Sequence, residues 1–325
     1  MLFLAALAGA AVAAAIFILF FAKSRFGRRI LLSVSDNSIP LFYLGTLTLF
    51  LYLFDVRVLS QSDGIIGSKQ TGWIRFSYSF PYITFIILYL SDPGRINRRN
   101  WAAYYEQFPF DHILYLPGNE CRTCLFAKPA RSKHCRSCNS CVAWQDHHCL
   151  WVNNCVGGKN FCWFLLFLLT NIYVFFYGTV LLMRILYTSF APAWKDSQKW
   201  YHFGTRLISR GPTERVAACL LLLCILLLPL VALFTSFHIM YVWAGVTTNE
   251  ADKWDDIRDL IPQKCLYFAP NTSVLLLKRE DGTFNRHLTE SEKHLDLQIV
   301  ESESDVPNIY DFGFWANLKR LLISQ

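Results

Sequence analysis

The segment RSKHCRSCNSCVAWQDHHCLWVNNC, Arg131 to Cys155, places five cysteines and three histidines within twenty-five residues. Thiolates and imidazoles at that density are either the donors of tetrahedral metal sites or the nucleophile and base of covalent catalysis. Two C-x2-C pairs, Cys121 with Cys124 and Cys135 with Cys138, each form the tight turn that lets two thiolates grip one zinc ion. Two pairs imply two ions, and each ion needs two more donors from His134, Cys141, His147, His148, Cys149, Cys155 and Cys162. His134 and Cys135 are sequence neighbours whose side chains diverge, so they serve different ions more easily than one, and the sites interlock. The simplest allocation gives the first zinc Cys121, Cys124, His134 and Cys141, and the second Cys135, Cys138, His148 and Cys155. Closed Cys3His sites have no open position for water, so both ions are read as structural, contributing folding free energy rather than chemistry.

His147 and Cys149 are left unspent on either side of a ligand, with Asp146 just before them. Cys162 is also spare, but it opens an apolar run and reads as a membrane-face residue. Fixing His148 to a metal pins its neighbours on a rigid loop, which a nucleophile and its base require. An imidazole oriented by a carboxylate makes the thiolate of a nearby cysteine available at neutral pH. Asp146, His147 and Cys149 therefore read as a catalytic triad. The alternative, that all three are further metal ligands, is left open by spacing alone.

Long apolar blocks must hold this knot in place. The chain has 325 residues, 54% hydrophobic and 16% aromatic. Residues 1 to 22, 160 to 187 and 216 to 245 are each long enough to cross about 30 Å of hydrocarbon as a helix, and 37 to 54 and 73 to 90 are near the minimum length. The expected fold is an α-helical integral membrane protein of about five transmembrane helices carrying a small zinc-binding cysteine-rich domain. Lys23, Arg25, Arg28 and Arg29 follow the first block instead of preceding it, which favours an uncleaved anchor with its N-terminus outside. The divisions are then 1–90, three spans; 91–159, the cytosolic cysteine-rich domain; 160–245, two spans; and 246–325, a cytosolic tail. The loop 184 to 215, placed in the lumen, runs against the charge rule with six Lys or Arg residues.

A net charge of +7 without a long basic stripe suits an anionic membrane face and excludes nucleic acid as the partner. Eight of the eleven cysteines fall between Cys121 and Cys162, in a segment assigned to the reducing cytosol, where metal binding is favoured over disulfides. Cys219, Cys224 and Cys265 read as apolar filler. In the tail, SVLLLKRE and DGTFNRH flank a hairpin signal at Asp281-Gly282, an acidic run spans Glu290 to Asp305, and NLKRLLISQ reads as a short amphipathic helix.

Taken together these motifs resemble the Asp-His-His-Cys (DHHC) protein S-palmitoyltransferases. The likeness covers the C-x2-C pair at 121 to 124, Lys128-Pro129-x-Arg131, His134-Cys135, Cys138, Cys141, Asp146-His147-His148-Cys149, Cys155 and Asn160. It extends to Asp92-Pro93-Gly94, Thr247-Thr248-Asn249-Glu250 and Asn308-x-Tyr310-Asp311-x-Gly313, and so over roughly residues 70 to 320. The resemblance implies that Cys149 takes a palmitoyl or similar acyl group from acyl-CoA and passes it to a cysteine of a membrane-associated protein. It gives His147 the role of general base and Asp146 that of orienting the imidazole. CoA phosphates would be met by Arg95, Arg98, Arg99 and Arg131, with Lys133 and Arg136 as further candidates, because guanidinium forks suit phosphate. Trp151 and Asn153-Asn154 would shape the site. Common members have four spans with both termini in the cytosol, so an added N-terminal span is a departure. Thr247 to Trp254 look most like a fungal branch of the endoplasmic reticulum that modifies cysteines beside transmembrane segments, the Golgi membrane being the alternative.

Other classes fit less well. A zinc-stabilised membrane adaptor lacks a use for the spare thiol, and a RING-type ligase needs a further C-x2-C pair after Cys155, which the sequence does not supply. A channel or transporter would place ionisable residues within the spans, where they are nearly absent apart from His238.

Overall fold

The computed structural model describes residues 36–62, 64–194, 211–279, 283–284 and 294–323. The apolar block 1 to 22 with its basic flank to Arg29, residues 195 to 210 of the loop 184 to 215, Asp281-Gly282 and the first residues of the acidic run lie outside the described residues. Among the described residues three helices are long and apolar enough to cross a membrane: Ser38–Gln61, Phe161–Ser189 and Pro212–Trp243.

The first is α1, Ser38–Leu53, which continues as a π turn at Phe54–Val58 and a 3-10 turn at Leu59–Gln61. The π turn carries Asp55, whose carboxylate accepts from Arg75 Nε at 2.9 Å. Residues 73 to 90, read from sequence as one span, divide between α2, Ser68–Ser77, and α3, Ser79–Leu90. The break has a local cause. Pro81 has no N–H for the carbonyl of Ser77, and the hydroxyls of Ser77 and Ser79 turn back to the carbonyls of Ile74 and Phe76 at 2.7 Å.

Helix α5, Phe161–Trp194, packs along α6, Pro212–Trp243, with α3 and the π turn completing the bundle. One apolar cluster joins Phe54, Val58, Ile74, Leu181, Leu182 and Leu220 at the far end. A second joins Phe85, Leu88, Phe161, Phe164 and Val242 to Trp144, Cys149, Val152 and Val156 of the cysteine-rich segment. The bundle and that segment therefore share one core, since aliphatic side chains of both are withdrawn from solvent by the same packing.

The cysteine-rich segment has little regular structure of its own. Strands β1, Arg95–Ile96, β2, Lys133–Cys135, and β3, Ser140–Val142, form an antiparallel sheet in the order β1-β3-β2, with the short helix α4, Trp101–Tyr105, between β1 and β2 in the chain. Strands β4, His147–Cys149, and β5, Asn154–Val156, form a separate hairpin. After α6 come α7, Thr248–Leu260, the sheet β7-β6-β8 of Leu266–Ala269 (β6), Val274–Leu277 (β7) and Gln298–Ile299 (β8), and α8, Phe314–Ile323. The stretch SVLLLKRE thus pairs first with the preceding β6, while Lys278 meets Phe284 in an antiparallel bridge.

Just after α6, Gly245 has φ +67°, and a Cβ there would stand 2.6 Å from the Cα of Asp311. Gly72, in α2, has nothing within 4 Å of such an atom. Gly245→Ala is expected to lower the melting temperature of the detergent-purified protein through a loss of about 2 kcal/mol or more, whereas Gly72→Ala should leave it unchanged or slightly higher. Scanning fluorimetry on the two variants checks this, and equal melting temperatures would contradict it.

Candidate active site

Each C-x2-C pair is a knuckle built the same way. The backbone N–H of Cys124 points to Cys121 Sγ at 3.4 Å and that of Cys138 to Cys135 Sγ at 3.4 Å. The next residue is left-handed in both, Leu125 with φ 57° and Asn139 with φ 48°. Each knuckle faces a cross-strand pair of one histidine and one cysteine: His134 opposite Cys141 in β2-β3, and His148 opposite Cys155 in β4-β5. This brings together Cys121, Cys124, His134 and Cys141 in one group, and Cys135, Cys138, His148 and Cys155 in another.

The spacing within each group fits zinc. In the first, His134 Nδ1 lies 3.6, 3.4 and 3.8 Å from the sulfurs of Cys121, Cys124 and Cys141. In the second, His148 Nδ1 lies 3.6, 3.4 and 3.7 Å from those of Cys135, Cys138 and Cys155, and Cys138 Sγ is 3.5 Å from Cys155 Sγ. A tetrahedral ion with Zn–S about 2.3 Å and Zn–N about 2.0 to 2.1 Å has edges of about 3.5 to 3.8 Å. Either cluster could hold a zinc ion with all four positions filled by protein.

Side chains alternate along a strand. On β2 this sends His134 to the first group and Cys135 to the second. On β4 it sends His148 into the second group, while His147 and Cys149 share the opposite face, against the bundle. Cys149 is 5% exposed, packed with Trp144, Val152, Phe161 and Phe164. The imidazole of His147 meets Phe164 edge-on at 5.2 Å.

Asp146 orients that imidazole and does more. Its Oδ2 accepts from His147 Nδ1 at 2.7 Å and from Thr248 Oγ1 at 3.1 Å, and its Oδ1 accepts from the Thr248 N–H at 2.6 Å. Thr248 opens α7, so the carboxylate sits on a helix N-terminus, where negative charge is favoured. Burial pushes the Asp146 carboxyl upward, but the His147 hydrogen bond and charge, with His238 and the Thr248 N–H, hold it below the ordinary carboxylate range. Burial likewise pushes His147 down, and the Asp146 and Cys149 contacts outweigh it, raising the imidazole to about 9. With Nδ1–H given to Asp146, Nε2 is the nitrogen that can accept a proton.

The guanidinium residues named from sequence separate into two sets. Arg95, Arg98, Arg99, Lys133 and Arg136 are exposed, with Arg95 Nη2 donating to Asn154 Oδ1 at 3.2 Å. Arg131 is 2% exposed, and its donors go elsewhere than to a phosphate. Nε and Nη2 meet Glu250 Oε1 and Oε2 at 2.7 and 2.5 Å, and Nη2 also reaches the Gly245 carbonyl at 3.0 Å. Its carbon lies 4.8 Å from the Trp144 ring and 4.6 Å from that of Tyr310. Desolvation alone would discharge it, but the Glu250 charge prevails and raises it above its usual value. This corrects the phosphate reading of Arg131, because a guanidinium enclosed by a carboxylate and two rings clamps protein to protein.

Three residues near the triad carried weaker sequence signals. Thr248 belonged to a quoted motif without an assigned contact. His238 stood out as an ionisable residue in a span, and its Nδ1 lies 3.7 Å from Asp146 Oδ2. Asn154 anchors the β4-β5 hairpin by donating to the carbonyls of Leu88 and Ser91 at 3.1 and 2.9 Å. Trp151 is half exposed at the hairpin turn, and Asn153 donates to Asn37 Oδ1 at 3.1 Å.

Comparison with known proteins matches residues 116–255 to the DHHC palmitoyltransferase family model. A palmitoyltransferase SWF1 of Candida albicans is 36% identical over 307 residues, 89% of this chain and 81% of that protein. The chain belongs to the DHHC palmitoyltransferase family. Further relatives are palmitoyltransferase SWF1 of Yarrowia lipolytica, 37% identical over 76% of this chain and 68% of its own length, and that of Saccharomyces cerevisiae, 30% identical over 87% and 84%. The protein is a palmitoyltransferase enzyme, acting on proteins at sulfur, with a cysteine-rich domain able to bind zinc and membrane-spanning helices.

In this DHHC palmitoyltransferase, Arg131→Ala leaves the Glu250 carboxylate buried without its partner, at a cost of about 3 to 5 kcal/mol. Thermal denaturation is expected to show that loss. A variant of normal stability with a raised KM for palmitoyl-CoA would instead return Arg131 to the phosphate contacts. Cys135→Ala removes a donor from the second group, and metal analysis of the purified variant is expected to show about one zinc per chain fewer than the parent, with poor folding yield.

Proposed function

We propose that the enzyme transfers a palmitoyl group from palmitoyl-CoA to cysteine thiols of membrane proteins through an S-acyl intermediate on Cys149. The observation that carries this is the placement of His147 and Cys149 on one face of β4, with Asp146 2.7 Å from His147 Nδ1 and His148 turned to the other face. Zinc, when bound, supplies structure: Cys121, Cys124, His134 and Cys141 would hold one ion, and Cys135, Cys138, His148 and Cys155 the other.

In the first half-reaction the Cys149 thiol gives its proton to His147 and its sulfur attacks the acyl carbonyl carbon. The carbon–sulfur bond to CoA breaks, and the departing CoA thiolate takes the proton back from His147. In the second half a substrate thiol gives its proton to His147 and attacks the Cys149 thioester, and the released Cys149 sulfur is reprotonated. One thioester replaces another at each step, so the overall change is near thermoneutral and catalysis rests on thiolate supply and positioning. The scheme is ping-pong.

The apolar cavity lined by Leu47, Phe54, Tyr173, Leu181, Leu220 and Cys224 among the helices is the candidate seat for the far end of an acyl chain. It begins about 18 Å up α5 from Phe161, taking the twelve residues to Tyr173 at about 1.5 Å each. Each methylene buried there contributes about 0.8 kcal/mol. Arg95, Arg98 and Arg99, exposed beside the β1 strand, are the candidate contacts for CoA phosphates. The reading includes about five spans, a cytosolic zinc domain and C-terminal tail, and residence in the endoplasmic reticulum membrane. Substrates then present cysteines near the cytosolic membrane face.

Incubation of the purified enzyme with labelled palmitoyl-CoA is expected to give hydroxylamine-sensitive label. Cys149→Ala should stay folded with its zinc content intact and lose the label almost entirely. Equal labelling of that variant would exclude the mechanism.

A further inference from the structure

We propose that His238 is a positioning residue for acyl transfer: from within the last span it holds the Asp146 carboxylate, and through it the His147 imidazole, in the geometry that serves Cys149. The inference rests on the Cys149 mechanism above.

His238 belongs to α6, about one and a half turns before its end. An ionisable side chain in a membrane span is costly unless it has a partner or a task. This one is 3% exposed, and its Nδ1 makes no hydrogen bond. It is not randomly aimed. Nδ1 faces Asp146 Oδ2 at 3.7 Å, and the ring lies 5.5 Å from that of His147 at an interplanar angle of 35°. The rings of Phe164 and Phe234 stand edge-on at 4.8 and 4.7 Å, with Phe161 and Tyr241 at 6.3 and 6.2 Å. This aromatic cage fixes the imidazole plane and keeps water away, so the carboxylate is the polar group it addresses. A residue serving only to fill apolar space would have no reason to direct a buried nitrogen there.

A carboxylate has about four acceptor sites, and three on Asp146 are taken by His147 and by the N–H and hydroxyl of Thr248. His238, as the Nδ1–H tautomer, can supply the fourth donor by closing less than about 1 Å to hydrogen-bond distance. Thr248 grips the carboxylate from the start of α7 and His238 faces it from within α6, so two elements bracket Asp146 from different sides. Loss of one bracket lets the carboxylate turn, and His147 with it, at the moment His147 must receive and return a proton.

The test uses the full-length enzyme in detergent and follows the rate of Cys149 labelling against palmitoyl-CoA concentration. H238F keeps the ring and its aromatic contacts but removes both nitrogens. H238N puts an amide nitrogen where Nδ1 branches from the ring. The maximal rate in H238F is expected to fall at least about tenfold with half-saturation shifted by less than about twofold, and H238N should recover to within about threefold of the parent. Zinc content should equal the parent's in both. H238L is made alongside, so that failure of one apolar variant to fold leaves the comparison with H238N intact. Parental rates in H238F, an H238N as slow as the apolar variants, or a lost zinc would each overturn the inference. An unlabelled Cys149 in the parent enzyme would overturn the underlying mechanism as well, whereas a labelled parent with an unaffected H238F would overturn this inference alone.

Discussion

The arrangement depends on the two-residue period of a three-residue strand. Because successive side chains of β4 point to opposite faces, His148 can join a tetrahedral donor group while His147 and Cys149 face the bundle together. A metal held by His148 and its three sulfur partners would fix the register of the hairpin, and with it the position of the proposed base and nucleophile. A helical His147-His148-Cys149 would fan the three side chains around some 200° and could not separate ligand from reagent so cleanly.

The hairpin must also be fixed relative to the membrane helices, and the chain does this through their exposed ends. The last carbonyls of a helix have no partner within it, and here they are met by polar side chains from the cysteine-rich segment and the tail. Asn154 donates to the carbonyls of Leu88 and Ser91 at the end of α3. At the end of α6, Asn317 donates to Val242, Asn308 to Ala244 and Arg131 to Gly245, each at 3.0 Å. Glu250 closes the set: its carboxylate receives Arg131, the Tyr115 hydroxyl at 3.0 Å and the Thr247 N–H at 2.9 Å, the last within a capping box that starts α7. A buried ion pair of this kind contributes less to net stability than to placement.

Composition and donor spacing made much of this legible. Apolar blocks marked the long helices, and counting donors grouped the ligands and set Asp146, His147 and Cys149 apart, because tetrahedral valence and strand alternation are local rules. Residues 73 to 90 form two consecutive helices where hydropathy alone gives one, because an average over the window does not register Pro81, whose missing N–H interrupts the helix. Arg131 was misjudged because a guanidinium suits phosphate and carboxylate alike, and its carboxylate stands 119 positions away. The strand β6 lay unread before β7, since CLYFA follows a helix without a turn signal of its own. The contact of Thr248 with Asp146 spans 102 positions, a separation that no local pattern reports.

That last contact ties fold and chemistry in one group. Asp146 is both the carboxylate that orients His147 and the acceptor for the first N–H of α7, so the start of that helix and the proposed catalytic imidazole are registered against the same two oxygens. A displacement of α7 is felt at His147 without any change in the hairpin itself. The tail that follows α6 thereby takes part in the site although it contributes no proposed nucleophile, base or metal ligand. The same logic explains why Tyr310, in the far tail, stacks on Arg131: it encloses the clamp that holds Glu250, and Glu250 caps the helix whose first N–H steadies Asp146. The long-range motifs are links of one chain of contacts ending at a single carboxylate.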